Sequence, residues 1–221
     1  MSRAEPLVDW GWIADHTDDI AAQLYQHVQL TVIAVAVGLL IAFPLGVLSY
    51  RVRRIYAPVT WSTGLLYTIP SIALFAFLIP YTGLSMLTAE IGLVSYTLLI
   101  LVRNVVAGLD GVPSDTKDAA IGMGYTRRQL LWRVELPLAL PVIVAGVRIA
   151  TVTTIGLVTV TALIGQGGLG MFILSGLRRF FSTEILLGAG LSMIFAVAVD
   201  GLLLGAQRLL APWVRARART A

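Results

Sequence analysis

The spacing of its charges constrains this 221-residue chain more than any other feature. No charged residue occurs from Ile20 to Tyr50, from Ile55 to Ala89 or from Ile149 to Leu177. A hydrocarbon core about 30 Å thick is crossed by roughly 20 helical residues, so runs of this length mark membrane spans. Leu30 to Leu48 is dense enough to cross once, and the basic cluster Arg51, Arg53 and Arg54 ends it. The run from Ile55 to Ala89 exceeds one helix and is punctuated by Pro58, Pro70, Pro80 and Gly83. It divides into a second span, Pro58 to Ile79, a turn around Pro80 to Gly83, and a third span, Leu84 to Val102. The expected fold is an all-α membrane protein of five transmembrane helices, at 28–50, 58–79, 84–102, 138–164 and 185–211. These form a single transmembrane domain over 1–221 with one long hydrophilic loop, 103–137.

Composition agrees. With 57% apolar and 13% charged residues and a mean hydropathy of +0.86, the chain has too little polar surface to cover a soluble globule. The absence of cysteine excludes disulfides and thiolate chemistry, and the two histidines, His16 and His27, both lie near the amino end. No metal site, catalytic residue or cofactor is expected. The net charge is +4, and 15 of the 16 cations are arginine. They fall between apolar segments and not in one patch, which favours lipid headgroups over nucleic acid as the anionic partner.

Cations near span ends are retained on the cytoplasmic side. With the amino terminus outside, the cytoplasmic segments hold Arg51, Arg53 and Arg54, then Arg103, Lys117, Arg127, Arg128 and Arg133, then Arg208, Arg215, Arg217 and Arg219. The outer segments hold only Arg3, Arg178 and Arg179. Twelve against three predicts the amino end out and the carboxyl end in. Five acids in the first 19 residues, Glu5, Asp9, Asp15, Asp18 and Asp19, are the reverse of a signal peptide's basic start, so the first span is expected to be retained.

The loop 103–137 is long for a minimal membrane protein, and such loops commonly contact a partner. Ser114 and Asp115 are placed to cap a helix from about Thr116 that the glycines at 122 and 124 end. Thr126 caps a second short helix that presents Leu130, Leu131 and Val134 on one face and that Leu136-Pro137 is expected to stop. Two short helices at a glycine elbow make a compact knob.

The spacing is Asp118-Ala119-Ala120, three residues, Gly124, nine residues, Val134, one residue, Leu136-Pro137. It resembles the EAA motif of ABC-importer permeases, with Asp118 for glutamate and Val134 for isoleucine. The resemblance implies the type I permease fold and a loop that fits a cleft on a separate ATPase. Asp118 to Ala120 and Gly124 would touch the ATPase, and Leu136-Pro137 would anchor the loop at the bilayer. Tyr67-Thr68-Ile69-Pro70-Ser71 and Ala162-Leu163-Ile164-Gly165-Gln166-Gly167-Gly168-Leu169-Gly170 are similar to the permeases of glycine betaine, carnitine and choline importers. That implies a permease pair, homomeric or mixed, in a bacterial cytoplasmic membrane. ATP would be bound by the partner ATPase, and an extracytoplasmic binding protein would deliver a quaternary-ammonium compatible solute. The same architecture would serve another small solute, such as an amino acid.

Competing motifs fail on context. Gly165, Gly167 and Gly170 satisfy G-x-G-x-x-G, with Glu184 near the ribose-acid spacing, but a charge-free run of 29 residues surrounds them where a strand and helix of a parallel sheet are required. The only lysine, Lys117, follows Thr116 where a Walker A loop needs glycine. Gly201 and Gly205 form a G-x-x-x-G suited to close helix contact. A channel or secondary transporter is disfavoured because no related halves are visible, and an intramembrane enzyme because the spans show no nucleophile and base.

Ionisable residues inside spans are functional suspects. Arg148 lies 11 residues beyond Pro137, and Asp200 lies 11 before Ala211. On helices of opposite direction they reach similar depth, which suggests a pair, with the alternative that Arg148 snorkels to headgroups and Asp200 lines a wet cavity. Glu90, nearer an outer face, is expected to reach water. Thr151, Thr154 and Thr161 form a loose stripe from Arg148 that would line a solute path, although helical threonines also bond their own carbonyls. Pro70 should kink the second span, making Thr68, Pro70 and Ser71 gate candidates.

Overall fold

A computed structural model describes residues 7–210, and every regular element among them is helical. Arg3, Glu5, Ala211, Arg215, Arg217 and Arg219, which enter the charge and span expectations, lie outside the described residues. The helices are α1 (Trp10–Asp15), α2 (Thr17–Arg51), α3 (Arg53–Thr68), α4 (Ser71–Thr82), α5 (Met86–Asp110), α6 (Ser114–Gly122), α7 (Arg127–Leu130), α8 (Leu136–Val160), α9 (Gly170–Arg179) and α10 (Ser182–Leu210). A π turn, Leu131–Glu135, joins α7 to α8, and a 3-10 turn, Thr161–Ile164, follows α8.

Among the described residues four stretches are long and apolar enough to cross a bilayer: Thr17–Arg51, Met86–Asp110, Arg127–Ile164 and Ser182–Leu209. The pair α3 and α4, taken as one broken span, brings the number to five. Several helices outrun their expected bounds. The 35 residues of α2 reach about 52 Å at 1.5 Å each, well beyond the hydrocarbon core. Its start is extended by Asp18 and Asp19, whose carboxylates favour a helix amino terminus, and Arg51 favours the other end. Likewise α5 runs past Arg103 to Asp110, since charge ends a span but does not end a helix. The expected loop from 103 therefore narrows to residues 111–126.

Prolines behave according to position. Pro44, Pro58, Pro80 and Pro141 lie inside helices, and of the turn expected around Pro80 to Gly83 it is the last residue, Gly83, that leaves the helix and caps α4 with φ 71°. Pro70 does more than kink. Its φ of −56° and ψ of 133° are extended, and the second span divides there into two helices.

The contacts divide the chain into two compact units. One comprises Met1–Ala34, Ile69–Val94 and Val152–Ala198. Its core packs Leu30 and Ala34 against Phe75, Ala89, Leu93, Val158 and Ile164. The other comprises Val35–Thr68, Ser95–Thr151 and Val199–Ala221. Its two clusters centre on Val105, Leu109, Leu131 and Ala139, and on Ala42, Leu101, Val102 and Ala150. Many apolar side chains remain exposed, among them Trp61, Leu65, Leu202 and Leu209. Hydrocarbon accepts such a surface as readily as a protein core does.

Helices in lipid associate through close packing, which favours small residues at crossings. Gly146 of α8 faces Asn104 of α5, and a Cβ there would lie 2.3 Å from the Asn104 Cβ. Gly156, on the same helix, has nothing among the described residues within 4 Å of such an atom. The two alanine substitutions should differ in sign. In detergent, Gly146→Ala is expected to lower the Tm, at an overpacking cost of about 1 to 3 kcal/mol. Gly156→Ala should leave the Tm unchanged or raise it, because alanine favours helix by up to about 1 kcal/mol.

Candidate functional site

The connection between α5 and α7 is a turn of fixed geometry. Pro113 occupies the cap position of α6 and gives no side-chain cap bond. Ser114 and Asp115 form the first turn instead of the cap, where the Asp115 carboxylate complements the helix dipole. At the far end Met123 is the C-cap and Gly124 turns left-handed at φ 84°. Tyr125 N–H donates to the Ala120 carbonyl at 3.1 Å, and Gly124 N–H to the Ile121 carbonyl at 2.9 Å. This pair of bonds is a Schellman motif, which sets an alanine and a left-handed glycine four residues apart. The Ala120 to Gly124 spacing is thus the register of one helix terminus. Among the described residues nothing lies within 4 Å of a Cβ at Gly124, so glycine is required there by its φ and not by crowding.

The next helix begins on a capping box: Gln129 N–H donates to Thr126 Oγ1 at 3.3 Å, and Thr126 N–H to Gln129 Oε1 at 2.8 Å. The expected stop at Leu136-Pro137 does not occur. Helical structure continues from Arg127 to Ile164, widened over Leu131–Glu135, where Leu136 N–H reaches back five residues to the Leu131 carbonyl. Pro137 has no N–H, and a wider turn just before it relieves the crowding that its ring would meet in a regular helix. Leu136 packs against the cluster that includes Leu109 and Leu131. Val134 is half-buried.

Asp118, Ala119 and Gly124 are exposed, whereas Ala120 is 2% exposed and turned inward beneath the loop. Its place is in the packing, which corrects its expected part in an outward contact surface. The outward apolar surface comes from residues outside the motif: Ile121 at 55%, Met123 at 69% and Trp132 at 57% exposure. Large apolar side chains displayed on so short a segment mark a contact surface.

A polar relay ties the loop down. Lys117 Nζ donates to the Tyr50 hydroxyl at 3.0 Å and to the Leu109 carbonyl at 3.3 Å. The Tyr50 hydroxyl donates to Glu135 Oε1 at 2.6 Å, and Glu135 is buried. Lys117 also lies 5.3 Å from the centre of the Tyr50 ring. This joins α6, α2 and the π turn. The sequence offers two clues, a lone lysine directly before the motif and a glutamate directly before Leu136-Pro137, but nothing in it points to Tyr50.

The structure brings Arg148 and Asp200 together. The guanidinium binds the carboxylate in a fork, Nε to Oδ1 at 2.9 Å and Nη2 to Oδ2 at 2.8 Å. Gln207, two turns beyond Asp200 on the same face of α10, accepts from Arg148 Nη1 at 3.4 Å and donates to the Pro141 carbonyl at 3.0 Å. The pathway candidates are differently placed. Thr151, Thr154 and Thr161 are buried. Thr151 Oγ1 donates to the Val147 carbonyl at 2.7 Å, and Thr161 Oγ1 lies within 2.8 Å of both the Val158 and Gln166 carbonyls. The stripe is thus enclosed, and its hydrogen bonds at Thr151 and Thr161 go to backbone carbonyls, the alternative that helical threonines offer. Thr68 is exposed and bonds its own helix at Leu65, Pro70 forms the break and Ser71 opens α4. Glu90 differs from expectation too: both carboxyl oxygens are buried without a hydrogen-bond partner among the described residues.

A lone charge at the centre of a spanning helix costs about 2.5 to 3.5 kcal/mol on insertion scales. Arg148→Ala and Asp200→Ala are each expected to reduce the amount of folded protein recovered from membranes. The double exchange Arg148→Asp with Asp200→Arg should restore much of it. Recovery of the exchange variant no better than that of either single alanine variant would show that the two charges act separately.

The model of the binding-protein-dependent transport system inner membrane component family matches residues 20–216. The osmoprotectant import permease protein OsmW of Salmonella typhimurium is 38% identical over 206 residues, 91% of this chain and 96% of that protein. The choline transport system permease protein OpuBB of Bacillus subtilis is 36% identical over 88% of this chain and 89% of its own length. The glycine betaine/carnitine/choline transport system permease protein OpuCB of Bacillus subtilis is 35% identical, with 85% and 86% covered. A chain of the MetNI methionine ABC transporter, solved in inward facing conformations, superposes with a TM-score of 0.81 at 23% identity, covering 89% of this chain and 98% of that one. That likeness establishes a shared type I importer permease fold. The chain therefore belongs to the binding-protein-dependent transport system inner membrane component family, as a membrane permease and not an enzyme.

Proposed function

We propose that this chain forms the translocation pathway of an ATP-driven importer for quaternary-ammonium compatible solutes, and that the turn from Asp118 to Gly124 is where a separate ATPase grips it. The observation that carries the reading is the locked elbow itself: a Schellman turn at Gly124 holding Ala119, Ile121 and Met123 outward, with Lys117 and Glu135 tied to Tyr50 behind it. Such a shape suits a cleft on another protein better than it suits lipid or water. Relatives named for osmoprotectant, choline and carnitine transport support the solute class. An extracytoplasmic binding protein would deliver the solute, and a second permease subunit, the same or different, would complete the pathway. The amino end lies outside and the loop inside, in keeping with the cation bias that includes Arg51, Arg53, Arg127 and Arg128.

Mechanistically the permease is an element with two states. Closure of the nucleotide-bound ATPases pulls the elbow, and helices continuous with it switch the pathway between inward- and outward-facing. The helix from Arg127 to Ile164 supplies such a connection without interruption. ATP stays on the partner, and this chain supplies the grip and the path. The Arg148–Asp200 fork tethers α8 to α10 so that they move together. Thr68, Pro70 and Ser71, at the break between α3 and α4, are placed to open and close the path.

Mild-detergent purification should bring an ATPase along with the wild-type chain. Gly124→Trp is expected to abolish binding-protein-dependent uptake of choline or glycine betaine while leaving the chain in the membrane. Gly124→Asn, whose side chain tolerates left-handed φ, should retain a substantial fraction. Undiminished uptake by the tryptophan variant, or by wild-type permease without any ATPase, would overturn the reading.

A further inference from the structure

A cavity of about 360 Å³ opens in the first unit among α1, α2, α9 and the start of α10. Two aromatic rings line it at right angles, Trp12 and Phe172, with centres 6.1 Å apart. Trp12 is held by stacking on His16 at 4.0 Å, and His16 Nδ1 bonds the Trp12 carbonyl at 2.7 Å. The guanidinium in the lining, that of Arg179, is already engaged with Ser175 Oγ and Glu184 Oε1, and two acceptors are left over. Gln23 Oε1 and Glu184 Oε2 are buried, and neither has a hydrogen-bond partner among the described residues. Glu184 is 1% exposed, so its carboxylate is withdrawn from bulk water. Its other oxygen accepts from Arg179 Nη2 at 2.8 Å, and the same guanidinium is held by Ser175 Oγ. Asp19 adds a second carboxylate to the lining. Two carboxylates against one engaged guanidinium leave the cavity net negative.

Buried acceptors without donors cost free energy, and where two converge on one cavity they call for something that carries donors. Water would satisfy them without need of the rings. An aromatic corner beside negative charge is the recognition chemistry of an organic cation. We propose that this cavity binds a small organic monocation bearing a hydroxyl, a quaternary-ammonium alcohol of the choline type. The onium methyls pack against Trp12 and Phe172, the positive charge faces Asp19 and Glu184, and the hydroxyl donates to Gln23 Oε1 or Glu184 Oε2. A zwitterion with a carboxylate meets two like charges here and no free guanidinium fork, so the cavity discriminates within the solute class. The choice of an onium ligand rests on the solute reading above, whereas the demand for a cation with a donor comes from the cavity alone.

The test is equilibrium dialysis of radiolabelled choline against the full-length permease in lipid nanodiscs, with no binding protein present. Saturable binding is expected, displaced by unlabelled choline and far less by glycine betaine. Trp12→Ala and Asp19→Asn should each weaken it about tenfold, the loss of one cation–π or charge contact. Gln23→Leu, which removes an acceptor without touching the Arg179–Glu184 pair, should weaken choline more than tetramethylammonium. No saturable binding, equal displacement by glycine betaine, or wild-type affinity in the Trp12 and Asp19 variants would each overturn the proposal. Uptake by the complete importer is measured alongside. Import of choline and glycine betaine without binding to this cavity removes the cavity proposal and leaves the solute reading standing. Binding of choline without import of either does the reverse.

Discussion

In hydrocarbon every backbone N–H and C=O must find its partner within the protein, and this requirement shapes the chain from end to end. It explains helices of 35, 25 and 29 residues with so few breaks, and also what happens at the breaks. Where α8 ends, Gln166 N–H returns to the Thr161 carbonyl at 3.1 Å and the Thr161 hydroxyl reaches the Gln166 carbonyl at 2.7 Å. Outside the spans, where α6 ends, the Schellman bonds on Ala120 and Ile121 do the same task for a loop helix. At Pro137 the chain does not break at all, because a π turn absorbs the missing donor. Candidate site residues collect at these repairs because a helix interior leaves a side chain little to do except pack.

The helices were readable because hydropathy is summed over some twenty residues, and a few misplaced ones do not change the sum. Their ends were not readable in the same way. Arg103 marks where lipid should stop, yet α5 continues to Asp110, since water and lipid support a helix equally well when its caps and packing hold. Pro70 and Pro137 show why a proline cannot be assigned from composition: the first divides two helices and the second sits inside one. The elbow was legible because Ala120 and Gly124 belong to one local turn. The relay through Tyr50 was not, because its partners lie 67 and 85 residues away.

Polar groups in the spans follow the same division. Arg148 and Asp200 can be put at equal depth by counting residues, and the structure joins them in a fork. Gln207 is invisible to that arithmetic because an amide carries no charge to attract notice, although it bonds both Arg148 and the Pro141 carbonyl. The threonine stripe shows the limit of periodicity. A helical face read from spacing tells which residues point the same way and leaves open whether that way is wet, and Thr151, Thr154 and Thr161 point into packed protein.

On the proposed reading, a motor can move this subunit only through parts that do not yield when pulled. A loop held by its own hydrogen bonds alone would absorb the displacement by unwinding. The elbow has two defences. Gly124 fixes the turn through φ, so α6 cannot lengthen without a strained backbone or a lost Schellman bond. Behind it, Lys117 and Glu135 grip one hydroxyl on α2, so a push on α6 is felt at once by a first-span helix and by the turn that begins the fourth. Transmission of this kind requires a discrete, packed connection, and exposed Ile121, Met123 and Trp132 give the motor purchase on its outer side. The apolar grip outside and the buried polar anchor inside are thus two halves of one lever, and neither would transmit force without the other.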